Sequence, residues 1–126
     1  MRTLFFLLLT FSLNAFSAQN TELSCEMKRE DWEKMSFSFK FLTPKRALTT
    51  FSFKRGEVSG NQNVPVSAIH QSSEARYVGV NFQGDEKLVF ILLTPIFAPE
   101  NLGMSFDIEV VSSIYGPTYL KCQATK

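Results

Sequence analysis

The stretch Met35-Ser36-Phe37-Ser38-Phe39-Lys40-Phe41 decides the fold, together with its echo Thr49-Thr50-Phe51-Ser52-Phe53-Lys54. Both alternate strictly. One set of side chains is large and mostly aromatic; the other is Ser, Thr and Lys. A period of two with one greasy face describes a strand buried on one side only. Thr43-Pro44-Lys45-Arg46 stands between the two runs and reads as a turn, so they form a hairpin.

The same pattern extends in both directions. Leu23, Cys25 and Met27 alternate over 21–28, and Val78, Val80 and Phe82 over 76–83. Gln83-Gly84-Asp85-Glu86 turns the chain into the apolar run 87–93, which completes a second hairpin. Met104, Phe106, Ile108 and Val110 alternate over 104–111, and Leu120, Cys122 and Ala124 over 118–124. A weaker strand over 64–71 carries Pro65 near its start, which suits a sheet edge. The polar run Ser59-Gly60-Asn61-Gln62-Asn63 reads as a loop, and 94–101, with Pro95 and Pro99, as irregular. The segment 29–34 is too short for a helix to stand alone. About eight strands at intervals of 8–14 residues predict an all-β fold, a single small antiparallel barrel or sandwich. The expected core is Phe37, Phe39, Phe41, Phe51, Phe53, Phe82, Phe90 and Phe106.

The first segment has a different character. Arg2 precedes an uncharged run, Leu4 to Leu13, and then Ala15-Phe16-Ser17-Ala18. This is the layout of a secretory signal peptide. The expected leader is residues 1–17, with cleavage after Ser17 or, as the alternative, after Ala18, leaving a single all-β domain over 18–126. Removing it takes Arg2 and leaves 12 basic residues against 12 acidic ones. That balance argues against nucleic acid as a partner. No second long apolar stretch exists, so no stable membrane insertion is expected after cleavage. The expected location is periplasmic or secreted.

Cys25 and Cys122 are the only cysteines. In an exported chain an even count suggests a bridge, and one pairing is available. It ties the two ends of the domain, so the first and last strands must be neighbours or face each other across two layers.

Chemistry-bearing groups are sparse. His70 is the one histidine, and no G-x-S-x-G nucleophile turn accompanies it. Glu30/Asp31 and Asp85/Glu86 fall in turns, where solvated charges are expected; Asp107 and Glu109 share the polar face of a strand. Metal-ligand spacings and phosphate loops are missing. The expectation is therefore a non-enzyme, with no cofactor and no metal, that binds a protein or a cell-envelope component through its loops; a small hydrolase is kept as an alternative. Trp32 sits among charges in Lys28-Arg29-Glu30-Asp31-Trp32-Glu33-Lys34. It reads either as an exposed anchor or as a plug for one end of the barrel. Lys45-Arg46 and Lys54-Arg55 read as solubilising turn charge.

Ser73-Glu74-Ala75-Arg76-Tyr77, followed by Gly84-Asp85-Glu86 and the C-terminal Cys122, resembles the periplasmic and lipid-anchored inhibitors of C-type lysozyme. Those are small exported β-barrels with a Ser-Gly-x-x-Tyr loop and a later Lys-Gly segment. The resemblance implies a hydrolase inhibitor and carries over Ser73 and Tyr77; with Arg76, which lies between them, they join Trp32 as candidate partner-binding residues. Here Glu74 stands in place of the family's Gly, and Gln83 in place of its Lys.

Overall fold

The computed structural model describes residues 20–126; the expected leader and its cleavage site lie outside them. Nine strands follow one another: β1 (Glu22–Met27), β2 (Lys34–Thr43), β3 (Arg46–Arg55), β4 (Val58–Val64), β5 (Val66–Gln71), β6 (Ala75–Asn81), β7 (Lys87–Leu93), β8 (Ser105–Ser112) and β9 (Gly116–Ala124). Two single 3-10 turns, Thr94–Phe97 and Pro99–Asn101, break the connection between β7 and β8. The strands form one antiparallel sheet in the order β4-β3-β2-β1-β9-β8-β7-β6-β5. It curls into a half-barrel rather than splitting into two stacked layers.

The alternation that predicts β2 and β3 sets their register. Phe37 lies opposite Phe51 and Met35 opposite Phe53, while Ser36 meets Ser52 on the other face. On the concave side Phe37 is the hub of an aromatic cluster. Its ring centroid is 4.9 Å from Phe51, 5.0 Å from Phe90 and 5.5 Å from Phe82. Five of the eight expected core phenylalanines are buried, and Phe53, Phe82 and Phe106 pack half-buried against them.

The first and last strands meet at the centre of the sheet. β1 pairs with β9, Cys25 lies opposite Cys122, and the two are joined by a disulfide. Both cysteines are buried. The bridge therefore sits in the wall of the half-barrel, with its sulfur atoms inside the core.

One expectation needs correction. The polar run 59–63 is not a loop but most of β4, which pairs with β3 from Val58–Arg55 to Val64–Thr49. Its residue types carry no strand preference; its conformation is imposed by the ladder of the neighbouring strand. β4 and β5 are separated by Pro65 alone, yet they pair with opposite edges of the sheet, β4 with β3 and β5 with β6. The Pro65 carbonyl accepts a hydrogen bond from the Asn81 N–H at 2.9 Å. Proline has no N–H to give and is tolerated at such an edge. The half-barrel is thus closed by one covalent step between its two edge strands, with no ladder between them.

Candidate functional site

Four connections meet at one open end of the half-barrel, the β3–β4 turn among them, and the other three, β1–β2, β6–β7 and β8–β9, carry the polar side chains of the site. They surround a cleft of about 650 Å³. Its floor is built from residues that continue the inward-facing set of their strands. Leu23, Cys25 and Met27 point inward on β1, and the next position of that parity is Arg29. Leu88, Phe90 and Leu92 point inward on β7, and the position before them is Glu86. Ile108 and Val110 point inward on β8 and are followed by Ser112. The strand period carries these three polar side chains to one place.

They satisfy one another there. Arg29 donates to Glu86 through both terminal nitrogens, Nη1 to Oε1 at 3.0 Å and Nη2 to Oε2 at 2.6 Å. This two-pronged geometry is the strong form of such a pair. Ser112 Oγ donates to Glu86 Oε2 and accepts from the backbone N–H groups of Ile114 and Tyr115 at 3.2 and 3.1 Å. One buried carboxylate thereby ties together these three connections. Burial alone would raise the Glu86 pKa; the hydrogen bonds from Arg29 and Ser112, with the Arg29 charge, outweigh it and hold the carboxyl below its ordinary range. The hydrogen bond to Glu86, acting against burial, raises Arg29 above its ordinary value. Such a carboxylate is a poor proton acceptor, and the chemistry of the group is to brace.

Above this floor lies an aromatic rim. The Arg29 guanidinium stands 4.5 Å from the centroid of Tyr115, whose residue is 71% exposed, with neighbouring Ile114 at 59%. Trp32 is half-buried. It meets Phe51 and Phe53 edge-on, each at 5.8 Å, and Arg55 lies over it at 5.0 Å. Trp32 thus plugs this end of the barrel while leaving part of its ring at the rim. The Lys54-Arg55 pair has a local use, since Lys54 meets Glu33 at 3.3 Å and Arg55 meets Asp31 at 3.8 Å. Exposed pairs of this kind are worth ~0–1 kcal/mol each.

The other candidate residues lie elsewhere. Ser73 is exposed in the β5–β6 turn at the opposite end. That turn is braced by Ser72 Oγ, which accepts from the N–H groups of Glu74 and Ala75. Tyr77 faces outward beside His70, ring centroids 6.1 Å apart. Arg76 is buried: it shares the inward parity of Val78 and Val80, and its guanidinium lies between Phe97 at 3.9 Å and Phe41 at 5.0 Å. Burial lowers its pKa. The seven residues of β6 separate Ser73 from the Gly84-Asp85-Glu86 turn, a span of ~20 Å. Sequence reasoning took Glu86 for a solvated turn charge, whereas it is only 5% exposed. It also missed Arg29, Ser112 and Tyr115; continuing each strand's parity one step past its apolar run finds the first two and Glu86.

Comparison of the chain with protein-family models, with curated proteins and with solved structures gave no match.

The brace predicts a pH-dependent contribution to stability. A carboxylate held below its unfolded pKa stabilises the fold above that value, and the effect is lost as pH falls through the folded one. Glu86→Gln is expected to cost about 2 kcal/mol at pH 7, less than the ~3–5 kcal/mol of fully buried pairs because Arg29 remains 22% exposed. The difference from the parent protein should shrink as pH falls below the ordinary glutamate range of about 4. Urea unfolding followed by Trp32 fluorescence at neutral and acidic pH measures it. An equal cost at both would show that the charge of Glu86 is not what matters.

Proposed function

We propose that this chain is a non-catalytic binding domain that engages a protein partner through the loop-lined end of its half-barrel, in an oxidising compartment outside the cytoplasm. The observation that carries this reading is the exposed Ile114–Tyr115 tip, held from beneath by Ser112, Glu86 and Arg29. Tyr, Trp and Arg are the residue types that dominate binding energy at protein interfaces. A rim fixed before contact loses little conformational freedom on binding. The buried Cys25–Cys122 bridge is compatible with export, since such bridges persist in oxidising compartments.

The test uses the oxidised protein immobilised against an envelope extract, followed by titration of whatever protein it captures. Tyr115→Ala is expected to weaken that complex about thirtyfold, as a hot-spot truncation of ~2 kcal/mol does, and Trp32→Ala to weaken it in the same direction. Ser73→Ala should leave it unchanged. Retention of full affinity by Tyr115→Ala would overturn the proposal. A C-type lysozyme assay is the second arm: inhibition abolished by Ser73→Ala would move the binding surface to the β5–β6 turn.

A further inference from the structure

The two edges of the sheet are protected very differently. Exposed edges present unpaired N–H and C=O groups, and proteins blunt them with Lys, Pro or a bulge. Pro65 stands between the two edges and flanks both; β5 has a further device, since its pairing with β6 shifts register between Val66 and Ala68. β4 has no further one. It reads Val58-Ser59-Gly60-Asn61-Gln62-Asn63-Val64, with no charge and no proline, and its ladder to β3 runs without a shift. Six of its seven residues are exposed, on both faces of the sheet, and Val58 is 63% exposed.

From this contrast we infer that β4 is a homodimerisation edge: it pairs antiparallel with β4 of a second copy of this chain, extending the sheet across a two-fold axis at Asn61. The strand is its own match. In that register Val58 meets Val64 of the second copy, Ser59 meets Asn63, Gly60 meets Gln62, and Asn61 meets itself. No charge opposes a like charge anywhere along the seam, which is the usual reason an edge refuses its own copy. The amides of Asn61, Gln62 and Asn63 can form side-chain ladders across such a junction. Pairing would also cover the apolar surface beside the edge, where Val58 is exposed and Phe53 half-buried. A two-fold contact of this kind is closed and self-limiting, because the bulged β5 offers no second site. The inference is independent of the binding end, and Tyr115→Ala should not alter it.

Sedimentation of the oxidised full chain from micromolar to millimolar concentration tests it. The expected result is a concentration-dependent dimer. Asn61→Lys and Asn61→Glu should each weaken association about fivefold, because like charges then face each other at the axis. An equal mixture of the two variants should associate more tightly than either alone. Asn61 is exposed, so circular dichroism and Trp32 fluorescence should be unchanged. Hydrogen exchange gives a second readout: β4 amides should gain protection as concentration rises, while β5 amides should not. A monomer at millimolar concentration overturns the inference, and so does a dimer indifferent to both charges. The first result would also cover the case in which the edge accepts a strand from a different protein.

Discussion

Replacing Cys25 and Cys122 together by alanine is expected to lower stability by about 4–5 kcal/mol and the melting temperature by about 20 °C or more. The bridge spans 97 residues of sequence. In the chain-entropy account, releasing a loop of ~100 residues gives the unfolded chain about 4.7 kcal/mol of freedom. The site makes this freedom matter. β1 and β9 share only four paired positions, from Leu23–Ala124 to Glu26–Lys121, yet they join the β2–β4 side of the sheet to the β5–β8 side. Without the bridge, the most distant segments of the chain must find each other across the whole loop before the half-barrel can close. Both sulfurs also lie in the core, so alanine leaves small voids that add to the loss. Against a total stability of ~5–15 kcal/mol for an ordinary domain, the double variant sits near the limit of folding. Urea unfolding by Trp32 fluorescence, with oxidised and reduced parent protein alongside, measures the effect. A loss below about 1 kcal/mol would mean that the ladder and the aromatic core close the seam unaided.

Much of this architecture is legible because the signal is physical at each point where it appears. The alternation through Phe37, Phe39 and Phe41 can serve only a strand with one buried face, and that is what β2 is. The cysteines had to meet, and the sheet brings β1 and β9 side by side to let them. Barrel and sandwich were not separable, because inward and outward positions alternate identically in both. β4 was invisible for a different reason: with six exposed residues it has no buried face, so no hydrophobic period exists to be read. The braced, loop-lined end was legible in principle. Arg29, Glu86 and Ser112 each continue an inward parity beyond the last apolar residue. Polar groups carried inward by the strand period must find one another or lose stability. Arg76 follows the same rule without a carboxylate. Its parity sends it inside, where the rings of Phe41 and Phe97 receive the guanidinium, while Ser73 and Glu74 of the same motif stay exposed.

Phe37→Ala is expected to cost about 3–5 kcal/mol, the range for removing a fully buried aromatic side chain. Phe37 is fully buried and touches three other rings, two of them from elsewhere in the chain, Phe82 beyond β6 and Phe90 on β7. The sheet backbone on either side is pinned by ladders to β1 and β3, so the void can collapse only by ring movement. Phe106, half-buried at the periphery, provides the internal comparison: Phe106→Ala should cost about half as much, because less surface leaves water when it packs. The effect should also reach the loop-lined end. Phe82 stacks edge-on against both Phe37 and Phe51 and lies 5.9 Å from the Arg29 guanidinium. Loosening that ring frees the connection that carries Glu86. Chemical denaturation gives the stability cost, and hydrogen exchange at the Ile114 and Tyr115 amides, which donate to Ser112, reports whether the brace has slackened. A cost near that of Phe106→Ala, with those amides as protected as before, would show that the aromatic hub is redundant and that the loops are held by the Arg29–Glu86 pair alone.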